Sequence, residues 1–104
     1  MGDTPYIYMF VRRDLSHAQM IIQTAHAVDE MNQRLGASSG ATNHMVLLHA
    51  DDELDLLEKA TQLDTQDIAY EMFFDSDLGS HTAIATVPLR GAERQPLTKH
   101  RLFR

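Results

Sequence analysis

Tyr6-Ile7-Tyr8-Met9-Phe10-Val11 is apolar at every position, and five of its six residues are aromatic or β-branched. A strand with one wet face alternates polar and apolar residues, whereas a strand covered on both faces does not. The run therefore predicts a central strand in a sheet with helices on its two faces. The next residues are equally constraining. Arg12-Arg13-Asp14-Leu15 closes the strand, Ser16 is a good N-cap, and a helix is expected from His17 to about Arg34. In α/β sheets ligands favour the edge where a strand hands over to its helix, so this stretch reads as the floor of a site.

The helix carries two stripes. Ala18, Ile21, Ile22, Ala25, Val28 and Leu35 follow the 3.6-residue period and are expected to face the core. Gln19, Gln23, His26 and Glu30 form a polar stripe in which Gln23 and His26, three apart, share a face. Gly36 is a fitting C-terminal stop, and residues 36–41 read as a loop. His44–Ala50 is a second, mostly apolar strand. Asp51-Asp52-Glu53 then opens a helix with Leu54, Leu57, Ala60 and Leu63 as its inner stripe, ending near Gln62.

Asp67–Phe74 alternates, as an edge strand does. Residues 75–80 form a turn, and Thr82–Val87 is a fourth strand stopped by Pro88. Helix-length links after the first two strands imply parallel crossovers, and the short last link implies an antiparallel partner. The order is βαβαββ: one α/β domain over residues 1–104, with a mixed four-stranded sheet, helices on its faces and the last strand antiparallel. Leu97, Leu102 and Phe103 are expected to dock the C-terminal segment on the body.

Charge and motifs narrow the function classes. The net charge of −6 argues against a generic nucleic-acid binder. It is uneven: from Arg90 onward the chain is +4, so residues 1–89 carry −10. A basic contact patch and a merely solvated tail both fit. No apolar run approaches the ~20 residues that span a bilayer, the first residues lack a signal-type pattern, and there is no cysteine. A cytoplasmic protein with no membrane partner is the expectation.

Six histidines invite a metal, yet no His-x-x-x-His pair and no cysteine set is present. No Gly-rich phosphate loop and no Gly-x-Ser-x-Gly elbow occurs. Neither metal nor cofactor is expected. The candidates that remain are Asp14, Gln23 and His26, with Asp75, Asp77 and His81 on the later turn. A histidine can act as a general base, a carboxylate can orient it, and an amide can hold a carbonyl or a water. These parts suit hydrolysis of an activated ester. The bland alternative is that Asp14 caps the helix or pairs with Arg12 or Arg13, and His26 is an ordinary hydrogen-bonded residue.

Val11-Arg12-Arg13-Asp14-Leu15 followed by Gln23-Thr24-Ala25-His26-Ala27 resembles the opening of the class II peptidyl-tRNA hydrolases. Thr82-Ala83-Ile84-Ala85-Thr86-Val87-Pro88-Leu89 is similar to that family's last strand, and Thr98-Lys99-His100-Arg101-Leu102 to its ending. The resemblance implies a three-layer α/β/α sandwich, a homodimer, and cleavage of the ester between a peptide and the 3′ end of tRNA. It places Asp14, Gln23 and His26 in the site with Thr82 nearby. Arg12, Arg13 and the basic tail would meet phosphate. The family's lysine has no counterpart here, where Met20-Ile21-Ile22 precedes Gln23. The family's Gly-Arg-Thr loop is reduced to Asp75-Ser76-Asp77-Leu78-Gly79-Ser80-His81. Two readings are open: an esterase of this type, and a non-catalytic relative that serves as a binding or dimerisation module.

Overall fold

The computed structural model of the chain describes residues 4–36 and 38–98. Its elements are β1 (Tyr6–Arg12), α1 (His17–Leu35), β2 (His44–Ala50), α2 (Glu53–Thr65), β3 (Tyr70–Asp75), β4 (Ser80–Thr86) and a 3-10 helix over Gly91–Leu97. The strands form one mixed sheet in the order β2-β1-β4-β3. β1 runs parallel to β2, and β4 runs antiparallel to both β1 and β3.

β1 is an inner strand whose alternate residues feed two cores. Ile7, Met9 and Val11 pack with Met20, Ala27 and Met31 of α1 and with Ala83 and Ala85. Tyr8 and Phe10 pack with Leu56, Ala60 and Leu63 of α2 and with Leu48 and Ile84. The sheet lies between the two helices, giving the three-layer α/β/α sandwich. Continuous apolar character in β1 is thus the mark of a strand covered on both faces. Ile84 is fully buried at the centre of the α2-side core. Ile84→Val is expected to cost about 0.5–1.5 kcal/mol, seen as a small fall in the urea midpoint with unchanged slope.

Several boundaries move, each for a local reason. α2 continues to Thr65, and its end is closed by Asp67 in the left-handed region (φ 58) with Ile68 N–H donating to the Leu63 carbonyl. That turn occupies residues assigned from sequence to the third strand, which starts instead at Tyr70. β4 begins two residues earlier than its apolar run, at Ser80. The 3-10 helix has no strong periodic signal. It is tied to the body by Leu97, which is buried, and by Arg94. The Arg94 guanidinium lies 3.4 Å from the Tyr6 ring centre and donates to the Tyr8 hydroxyl at 2.9 Å. Leu102, Phe103 and the basic residues Lys99, Arg101 and Arg104 lie outside the described residues.

The expectation from sequence is corrected most at α1. Its inner stripe is Met20, Gln23, Ala27 and Met31, not Ala18, Ile21, Ile22, Ala25, Val28 and Leu35. Ile21 is 71% exposed, and Ala18, Ile22, Ala25 and Leu35 are exposed as well. Two apolar lines share the helical period, so periodicity alone does not choose between them. The choice falls on the line containing Gln23 because its amide finds partners on β3 and β4.

Candidate functional site

The candidate polar residues gather around the end of the sheet where β1 and β3 finish and β4 starts. They do not form one cluster. Arg12 grips Asp14 through two hydrogen bonds, Nε to Oδ1 at 2.9 Å and Nη2 to Oδ2 at 2.8 Å. Its other terminal nitrogen donates to Ser80 Oγ at 2.9 Å and to the His81 carbonyl at 3.2 Å. The guanidinium therefore staples β1 to the start of β4. Hydrogen bonding from Arg12 holds the Asp14 carboxyl below its ordinary range. Asp14 is not the cap of α1; Ser16 is, accepting from Gln19 N–H at 3.2 Å. Arg13 pairs with Asp51 at 2.7 Å in an exposed contact.

Gln23 is 1% exposed, a position that requires every polar atom to be satisfied. Its Nε2 donates to Asp75 Oδ2 at 2.6 Å and to Gln19 Oε1 at 2.9 Å. Its Oε1 accepts from Thr82 Oγ1 at 2.8 Å. A β-bulge makes the last contact possible. Phe73 pairs with Ala83 but Phe74 pairs with His81, which leaves Thr82 as the extra residue. The bulge sends Thr82 toward α1 and His81 toward α2. There the His81 backbone N–H donates to Glu53 Oε2 at 2.8 Å, and its Nδ1 lies 3.4 Å from the same oxygen. His81 thus faces the opposite side of the sheet from Gln23. Asp77 lies exposed on the turn.

His26 keeps an exposed imidazole. The ring lies flat on Phe73, with centroids 4.7 Å apart and planes 6° from parallel. Asp75 is its neighbouring carboxylate. Hydrogen bonding from Gln23 holds Asp75 below its ordinary range, helped by the Leu78 and Asp77 backbone N–H groups and, more weakly, by the charge on His26. The structure therefore brings together Gln23, His26, Asp75 and Thr82 on the α1 side. Asp14 is engaged with Arg12, and Arg13 and His81 have partners elsewhere. Sequence reasoning missed Phe73, the platform under His26, and Gln19. Nothing short-range announces the bulge, since no glycine or proline marks it.

The two depressed carboxylates fix a pH dependence. Asp14 and Asp75 have folded-state values below the ordinary 3.8. Their stabilisation is therefore complete above that value and is lost as pH falls through the lowered ones. The urea midpoint is expected to lose the contribution of these two groups only below about pH 4. Asp75→Asn should make that acid limb shallower.

A concavity lies on the other flank of α1. A groove of about 950 Å³ opens there, with Met9, Met20, Ile21, Val28, Met45 and Leu47 among its walls. It exists because α1 packs over β1, β3 and β4 and leaves the near face of β2 uncovered. Among the described residues, no group of three or more histidine or carboxylate side chains is placed to hold a metal ion. Among the same residues, no helix is long and apolar enough to cross a membrane.

No protein-family model matches the chain, and no curated protein matches it. A solved structure does. It is a protein of unknown function from Agrobacterium tumefaciens, 14% identical, with a TM-score of 0.67 and full coverage of both chains. The fold is shared. At that identity the likeness extends to architecture alone.

Proposed function

We propose that the chain is an ester hydrolase of the peptidyl-tRNA hydrolase type, working at His26. One observation carries the reading: an exposed imidazole, held flat on Phe73, shares the α1 side of the sheet with Asp75, a carboxylate that three donors hold below its ordinary range. In this reading the neutral imidazole takes a proton from a water as that water attacks the ester carbonyl. The acyl–oxygen bond breaks, and the imidazolium returns the proton to the departing ribose oxygen, which leaves as a hydroxyl. Asp75 stabilises the imidazolium formed in between, the role that sequence reasoning gave to Asp14. Gln23 is too deeply buried to hold a carbonyl of the substrate. It acts as a positioning residue by fixing Asp75 to Thr82. Arg13, whose exposed ion pair is weak, is the cation of this edge best able to exchange its partner for phosphate. The tRNA part of the substrate rests on the resemblance in the Val11–Ala27 motif.

The experiment is turnover of a peptidyl-tRNA by the purified chain, beside a His26→Ala variant. A second reading, the non-catalytic binding module, is favoured by the internally satisfied state of Asp14, Arg12 and Gln23. It predicts no release of peptide by either protein.

A further inference from the structure

We propose that the groove between α1 and β2 is a peptide-binding site. An extended, basic segment of another protein adds to the outer edge of β2 and sets alternate apolar side chains against α1. The site is separate from the hydrolytic reading and stands without it.

The backbone supplies the first observation. His44 N–H donates to the Pro5 carbonyl, and Arg13 N–H donates to the Ala50 carbonyl. In a parallel ladder, alternate residues direct their backbone groups at the neighbour. With Tyr6 opposite His44 and Arg12 opposite Ala50, the residues bonded to β1 are His44, Val46, Leu48 and Ala50. Met45 and Leu47 turn their N–H and C=O groups outward, where no strand follows among the described residues. β2 also lacks the devices that refuse a further strand: its register is unbroken, and it holds no proline and no lysine, arginine, aspartate or glutamate. The opposite edge, β3, holds Glu71, Asp75 and the bulge.

The side chains supply the second. Met45 and Leu47 are the β2 residues that line the groove, so the outward amides and the groove floor belong to the same two positions. A guest strand laid antiparallel on this edge makes a hydrogen-bonded pair with each of them, and paired side chains point to the same face. Guest residues two apart therefore enter the groove, facing Ile21 and Val28 of α1. Ile21 is 71% and Met45 58% exposed, and the guest covers both. In this mode of recognition the backbone bonds give affinity and the alternate side chains give selectivity. An acyl chain would fill the same space and leave the edge unused.

Charge selects the guest. Asp29 lines the groove and is exposed. Its carboxylate accepts from the neutral Gln33 amide at 2.8 Å, and among the described residues no ion pair includes it. The chain as a whole carries −6. A lysine or arginine on the groove side of the guest is attracted, and an acidic residue there is repelled. Its place in the guest follows from direction. α1 links two parallel strands and runs back between them, so its second half, with Asp29, lies toward the start of β2. An antiparallel guest reaches that end last. The guest thus reads apolar, any, apolar, any, basic.

The test is a fluorescence-polarisation titration of a labelled heptapeptide, Thr-Leu-Thr-Val-Thr-Arg-Thr, with the full chain. Saturable binding is expected. Methylating the peptide nitrogens of its leucine and valine, which face β2, should weaken binding roughly tenfold or more. Methylating those of the threonines on either side, which face solvent, should leave it nearly unchanged. Replacing the arginine by glutamate should weaken binding up to about fivefold, and Asp29→Lys should reverse that preference. Amide exchange on the unmodified chain gives a reading that does not depend on how a variant folds: the Met45 and Leu47 amides slow when the peptide is added, and those of Val46 and Leu48 do not. No saturation by ~1 mM peptide overturns the proposal. So does an equal loss from the two methylation patterns, an unreversed preference in Asp29→Lys, loss of binding in Phe74→Lys on the β3 edge, or self-association of the chain that excludes the peptide.

Discussion

Gln23→Leu lowers the thermal midpoint by roughly 10–20 °C, on the basis of ~4–8 °C per kcal/mol for a domain of this size. Leucine nearly matches glutamine in volume, so the loss is not a cavity effect. It is electrostatic and directional. Thr82, fully buried, donates its hydroxyl to Gln23 Oε1 and is left without that acceptor. Stranding a buried donor and deleting the amide's own bonds costs about 2–3 kcal/mol. Gln23→Glu separates the two halves of the amide: it keeps an acceptor for Thr82 but sets a carboxylate against Asp75, 2.6 Å from the original nitrogen. That variant should be destabilised most at neutral pH and recover as the solution is acidified. Differential scanning calorimetry at two pH values checks both. An unchanged midpoint in Gln23→Leu would mean that the α1 stripe is not held by this bridge.

His26→Ala is expected to cut kcat/KM on a peptidyl-tRNA by about 10²–10⁴-fold, the range supplied by a positioned general base. The fold should hardly notice. The imidazole is exposed, and its loss removes one ring contact with Phe73, worth about 0.5–1.5 kcal/mol. Asp75→Asn should lower turnover less than His26→Ala, because the amide keeps part of the hydrogen bonding while losing the charge. Asp14→Asn should leave turnover close to the parent's, since that carboxylate serves Arg12 rather than His26. The two aspartates thus part company. Sequence spacing favours Asp14, and the hydrogen-bond pattern favours Asp75.

The architecture was legible because local signals agreed with the global fold. A run apolar at every position means two covered faces; helix-length links mean parallel neighbours; a short turn means antiparallel ones. The site was less legible because its decisive contacts are long-range. Gln23 is satisfied by Asp75 and Thr82, which lie 52 and 59 residues away along the chain, and no helical wheel contains them. The same contacts invert α1. Its apolar stripe of Ile21, Ala25 and Val28, expected to face inward, is turned toward the groove. The bulge at Thr82 is equally silent in sequence, yet it decides that Thr82 faces α1 and His81 faces α2, the reverse of what unbroken alternation from Ala83 would give. Asp14, Gln23 and His26 are close in sequence but serve separate partners: Arg12, the Asp75–Thr82 bridge and Phe73.

Ester hydrolysis at His26, with Asp75 beside it, stands or falls on single-turnover release of peptide from a peptidyl-tRNA. The unmodified chain and His26→Ala are compared at equal folded fraction. Rapid release is expected from the first, and a loss of about 10²-fold or more in the second. Equal rates in the two proteins, or no release by either, would show that His26 is not the base of an esterase.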